Sequence, residues 1–238
     1  MGHRTLSLAL VFRALILDSE AFDELRDDDD PFVEGLFLLV LIGLITAALA
    51  LVGQVIAWGS VPHTDAIRNV VFNALQQQPW WPAISSDPQA LVVFQQIWDL
   101  GWRIFPTLFG APDPARAVLN LLVWPIWLVL SWLIYTLLAH GFALWMGGRG
   151  SLRGTLGTAA LSFTPFLLHG LSIVPFLVFG GVLNTWQLLL RYKAVRSAHA
   201  LSWGRAMAAT LLPYLVYLVV WLLAGTLLAL VAAAIVGR

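Results

Sequence analysis

From Ala206 to Val236 the chain runs thirty-one residues without one charged side chain. A bilayer core of about 30 Å is crossed by roughly 20 apolar residues in a helix, so this run is long enough to span. It is not alone. Leu36–Trp58 is uncharged and carries one amide, Gln54; Ala117–Met146 and Gly154–Leu190 are uncharged as well. A water-soluble domain would have to cover all four runs with polar surface. Only 11% of the 238 residues are charged, against about 25% in ordinary soluble domains. The chain therefore reads as an all-α, polytopic membrane helix bundle.

Gly154–Leu190 is too long for one crossing. Dividing it near His169-Gly170-Leu171-Ser172 gives five transmembrane helices, at about 36–58, 117–146, 152–169, 172–190 and 206–236. Pro125, Pro165, Pro175 and Pro213 fall inside these spans, so the central helices are proline-broken. A re-entrant pair is the alternative for 152–190, because the first half is barely long enough to cross. The organisation is then an amino-terminal cytoplasmic or interfacial segment, 1–35, and a membrane domain, 36–238, with an external loop at 59–116.

In the amino-terminal segment, Arg4–Leu17 reads as an amphipathic helix lying at the membrane surface; the alternative is a short helix packed on the bundle. Asp18–Glu34 holds nine acids against Arg26 and reads as a solvated acidic linker. Its Asp27–Asp30 run lacks calcium-loop spacing, so no metal ligands are assigned.

Within the external loop, Thr64–Gln78 and Gln89–Phe105 show helical periodicity, separated by Pro79-Trp80-Trp81-Pro82. Asp99 and Arg103 stand at i,i+4 and are expected to pair. Trp80, Trp81, Leu91, Phe94, Trp98 and Phe105 are the candidate partner or lipid contacts. Three roles stay open for them: cover for the bundle, anchors at headgroup depth, or the wall of a groove.

Basic residues set the orientation. Nine lie in the amino-terminal segment and in the 147–153 and 191–205 loops; four lie on the other side. That bias puts the amino terminus in the cytoplasm and the carboxyl terminus outside. The expected location is the plasma (inner) membrane of a prokaryote, multi-pass. Arg191, Lys193 and Arg196 either contact anionic headgroups or only fix topology.

Chemistry is scarce. With no cysteine, disulfides and thiolate sites are excluded. A net charge of zero argues against nucleic acid. No HExxH, GxSxG elbow, Walker loop or dinucleotide fingerprint is present. The Gly147-Gly148-Arg149-Gly150 turn lacks a phosphate-loop lysine and reads as a tight connection. His140 and His169 fall at opposite ends of the bundle and should not share a metal. No catalytic residue, cofactor or metal site is assigned, and the chain is expected not to be an enzyme. Gly157, Ser162, Pro165, Pro175, Gly180 and Asn184 are candidates for close helix packing or for lining a passage.

The order of several weak motifs resembles the Yip1-domain family of multispan integral membrane proteins. The matching elements are Phe12-Arg13-Ala14-Leu15, Phe22-Asp23-Glu24-Leu25, Gly147–Leu152, Ala160–Pro165, Pro175, Trp186, His199–Ser202, Arg205-Ala206 and Pro213. The resemblance implies five spans with a cytosolic amino terminus. It also implies, for eukaryotic relatives, association with vesicle traffic and small GTPases; many bacterial relatives have no assigned activity. This chain departs from the pattern in a short amino-terminal segment and an enlarged first external loop. The leading expectation is an integral membrane scaffold or accessory subunit that binds another integral membrane protein, a second copy or membrane lipids. The alternative is a transporter or lipid-translocating protein.

Overall fold

The computed structural model describes residues 6–60, 64–108, 114–173 and 180–236. Among them every regular element is helical. In chain order these are α1 (Leu8–Leu15), α2 (Ser19–Arg26), α3 (Pro31–Ser60), α4 (Thr64–Gln76), α5 (Trp81–Ser85), α6 (Pro88–Leu108), α7 (Pro114–Trp145), α8 (Leu152–Ala160), a 3₁₀ segment (Leu161–Ile173), α9 (Gly180–His199) and α10 (Trp203–Val236). Among the described residues three helices are long and apolar enough to cross a membrane: α3, α7 and α10. Pro31 and Pro114 open α3 and α7, where a missing N–H costs nothing.

The core forms where the amino-terminal helices, α8, the 3₁₀ segment and the inner faces of α3, α7 and α9 converge. Phe22, Leu25, Leu39, Trp132, Phe163 and Leu190 are sealed there. Buried indole N–H groups find carbonyls or hydroxyls, as burial demands. Trp132 donates to Leu156 O at 3.0 Å, Trp186 to Leu15 O at 2.7 Å, and Trp124 to Thr46 Oγ1 at 3.0 Å.

Small residues set the closest crossings. A Cβ on Gly157 would lie 2.6 Å from the Pro31 carbonyl oxygen, and one on Gly35 3.0 Å from the Ala160 Cβ. Thus α3 and α8 approach backbone to backbone. Pro125 sits inside α7 without ending it, and a Cβ on Gly43 would be 2.7 Å from its Cα.

Four expectations are corrected. The 18–34 segment is not merely a solvated linker: its middle folds as α2, with Ala21, Phe22 and Leu25 fully buried. Arg26 Nη1 reaches Ser197 O at 2.9 Å, and Ser197 Oγ reaches Asp23 at 2.6 Å, tying α2 to α9. Arg13 bonds Asp18 and Glu24, and its guanidinium holds the Asp18 carboxyl below the usual carboxylate range.

Second, no break occurs at His169–Ser172. The helix changes type earlier, at Leu161, and stays 3₁₀ through Ile173. Pro165 has no N–H to offer the Leu161 carbonyl; the Thr164 hydroxyl bonds that oxygen instead, at 2.9 Å, and Ser162 bonds Ala159 O at 2.6 Å. Third, the helix described from Gly180 onward does not end at Leu190 but continues to His199, so Arg191 belongs to a helix. Fourth, Asp99 of α6 pairs with Arg68 of α4, in place of the expected Arg103 pairing.

α1 packs on the bundle, the second of the two readings offered for its region. Leu10, Val11 and Ala14 are buried, while Leu8, Phe12 and Ile16 form a second apolar stripe at i, i+4, i+8, with Leu8 80% exposed. One face packs on the bundle and the other faces outward.

Candidate functional site

On α9 the residues Leu183, Gln187, Leu190, Arg191, Ala194 and Ala198 are all buried. Their spacing of three and four carries Gln187 and Arg191 inward on the same stripe as the leucines and alanines. Arg191 is only 7% exposed. Its guanidinium carbon lies 3.9 Å from the centre of the Tyr135 ring of α7 and 5.4 Å from that of Phe163. Nη1 donates to Tyr214 Oη of α10 at 2.6 Å. Tyr135 is itself pinned by its hydroxyl, which donates to Thr210 O at 3.2 Å.

These contacts offset much of the cost of burial but leave part of the guanidinium without a partner. Withdrawing an ion from water costs several kcal/mol even after relaxation. A desolvated cation–π contact returns about 2 kcal/mol, and a hydrogen bond to a charged group about 1.5–3 kcal/mol. Guanidinium carries five N–H donors. Here Nε has no partner, nor does the Nε2 of Gln187 one turn away. Among the described residues no carboxylate forms an ion pair with Arg191. A cavity of about 490 Å³ opens beside these groups, lined on α9 by Asn184, Gln187, Leu188 and Arg191 and on α10 by Leu211 and Tyr214.

A second polar cluster closes the same end of the bundle. His199 Nδ1 accepts the Gly150 amide at 3.2 Å, which leaves the proton of the neutral ring on Nε2. Nε2 then lies 3.0 Å from Thr155 Oγ1 and 3.2 Å from His140 Nδ1, while the Thr155 hydroxyl donates to Ser151 O at 2.8 Å. Burial, with the neighbouring His140, pushes His199 down to about 4. Each ring nitrogen that faces the cluster has a protein neighbour, so the arrangement is a closed latch.

The glycine turn wraps this latch. Gly147, at φ +88°, ends α7 with bonds from Gly147 N to Leu144 O and from Gly148 N to Ala143 O, the Schellman arrangement that favours glycine. Any Cβ on Gly150 would fall on the Ala198 carbonyl.

The remaining sequence candidates divide. Trp80, Trp81, Phe94 and Trp98 form one aromatic group around Phe72, with Trp81–Phe94 centroids at 5.2 Å and Phe72–Trp98 at 5.4 Å. Leu91 shares α6 with Phe94 and Trp98. The Phe105 side chain and Pro175 lie outside the described residues. Gly157 and Ser162 are buried at the α3–α8 crossing and the 3₁₀ start, and Pro165 lies within the 3₁₀ segment. Among the described residues, a Cβ on Gly180 or Gly181 would meet nothing within 4 Å. Asn184 lines the arginine cavity.

His140 meets His199, not His169, whose ring stacks near Phe166 at 5.3 Å. Sequence reasoning missed Arg191 and His199 as interior groups. The available signal was the stripe 183–187–190–191–194, which continues through the basic residues.

Compared with known proteins, the chain matches the family model described as the Yip1 domain over residues 12–225. No curated protein and no solved structure matches the chain.

Proposed function

We propose, from the premise that the chain belongs to the Yip1-domain family, that it is a non-catalytic integral membrane scaffold or accessory subunit. It holds another integral membrane protein, a second copy or ordered lipid along the outer face of α10. One observation carries this reading. α10 has 34 residues, and none of its most apolar window is buried inside the chain. Trp221 is 74% exposed, and Leu223 and Leu228 stand out beside it. The inner third is packed through Ala206 and Ala209; the rest presents a bare apolar surface, which needs lipid or a partner.

Five spans remain the reading for the membrane domain. α8 and the 3₁₀ segment, with 9 and 13 residues, extend about 40 Å together, enough to cross. Support for a common cytoplasmic side comes from contacts among three basic segments. Arg26 bonds Ser197 O, Lys193 bonds Ser19, and Gly150 bonds His199. The amino-terminal helices, the 147–151 turn and the end of α9 therefore sit together, as a shared side requires. The membrane is proposed to be a prokaryotic plasma membrane.

The test uses a photo-crosslinking residue at Trp221 or Leu228, with one at buried Trp132 as control, in the native membrane. Mass spectrometry of the mildly extracted protein should show one stoichiometric protein adduct or co-purifying lipid at the outer positions only. A monodisperse monomer with no adduct and no enriched lipid sinks the reading.

A further inference from the structure

We infer that the cavity between α9 and α10 binds the phosphate of an anionic phospholipid headgroup, held by Arg191 and Gln187. The inference rests on α10 lying in the membrane but needs no protein on its outer face. Residues that carry donor groups line the site: Arg191, Asn184 and Gln187. Gln187 and Arg191 are each 7% exposed and keep an unpartnered N–H. A group rich in acceptors and carrying negative charge fits this wall. A cation does not, since among the described residues no carboxylate lines it.

Depth and apolar neighbours select a lipid over a free ion. Tyr214 lies about 16 Å along α10 from its first residue, at 1.5 Å per residue, so the site sits below the helix end. An inorganic ion would have to lose its hydration to reach it. A headgroup is already tethered nearby, and its chains find Leu188 and Leu211 in the cavity wall and the exposed Leu215 and Leu218 beyond. Arginine matches phosphate oxygens in a bidentate fork better than any other side chain.

The full chain, delipidated in mild detergent, is melted with phosphatidylglycerol, with phosphatidylcholine and with inorganic phosphate, and its bound lipid is counted by native mass spectrometry. Phosphatidylglycerol should raise the melting temperature well beyond phosphatidylcholine by mass action, and inorganic phosphate should leave it unchanged. R191Q should lose about tenfold or more in phosphatidylglycerol affinity, as expected for one charge-assisted contact, while Arg191→Lys keeps part of it. N184A, at an exposed lining position, should melt normally and bind several-fold more weakly.

Equal stabilisation by the two lipids overturns the headgroup site. A rise with inorganic phosphate that phosphatidylglycerol does not exceed overturns the lipid source. Unchanged binding in folded R191Q overturns the role of Arg191. If R191Q does not fold, the wild-type lipid preference and N184A decide. Crosslinking at Trp221 is unaffected by these variants, so failure here leaves the scaffold reading standing, and the reverse holds.

Discussion

The end of α9 and the outer length of α10 are both helical and both sit in an apolar chain, yet they are treated oppositely. Around α9, Ala194, Ala198 and His199 are sealed by α2, α8 and the glycine turn. Along α10 from Leu218 to Ala234 every residue is exposed. Hydropathy ranks them in the opposite order to burial, with α10 much the more hydrophobic of the two. What separates them is polar obligation. The end of α9 carries Arg191, Ser197 and His199, whose hydrogen-bonding groups need partners once buried, and those partners draw several elements together. The outer part of α10 has one hydroxyl, Thr226, satisfied within its own helix at Leu222 O. In a medium as apolar as its side chains, such a helix gains little by packing.

The contrast breaks most sharply at glycines. Gly150→Val places a branched side chain on the Ala198 carbonyl and should cost more than about 4 kcal/mol, in practice the loss of folded protein on size exclusion. Gly225→Ala, in open space on α10, should melt like the parent or up to about 1 kcal/mol higher. Aromatic truncation comes next. Phe22→Ala, fully buried, should cost about 3–5 kcal/mol in detergent melts, whereas Trp221→Ala should stay within about 0.5 kcal/mol. A large loss at Trp221 would mean that α10 is already covered by a second copy in solution.

The smallest effect is titration of the latch. His199 is held at about 4 by burial and by His140, against about 6.5 in an unfolded chain. Between these values the unfolded state binds the extra proton, so stability is full above about 6.5 and falls as pH drops toward 4. His199→Asn keeps an acceptor for the Gly150 amide and should flatten that slope in melts at stepped pH. An identical slope in the variant would remove His199 from the account.

Much of this was legible in the chain. The long uncharged runs mark α3, α7 and α10 within a few residues, and α4 and α6 follow their periodicity. Reading failed where charge and burial coincide. Nine acids around α2 mask the Ala21, Phe22, Leu25 pattern that buries it. The basic cluster after Leu190 resembles a loop, although the inward stripe of α9 continues through Arg191. The His140–His199 meeting needs the ends of two helices 59 residues apart to converge, and no local pattern encodes that. Pro165 signals a broken helix, but the choice of 3₁₀ over a turn rests on hydroxyls one and three residues earlier, at Thr164 and Ser162.

The bonds of the amino-terminal helices also set an order of assembly. Trp186 reaches Leu15 O, and Arg26 reaches Ser197 O, each across 171 residues. A ribosome adding 5–20 residues each second needs roughly 10–35 s to cover that distance. For that interval α1 and α2 exist without their docking surface, and Phe22 and Leu25 have no core to enter. The acids flanking them keep the waiting segment in water. These helices, made well before the surface they dock on, are thus among the last elements to be put in place.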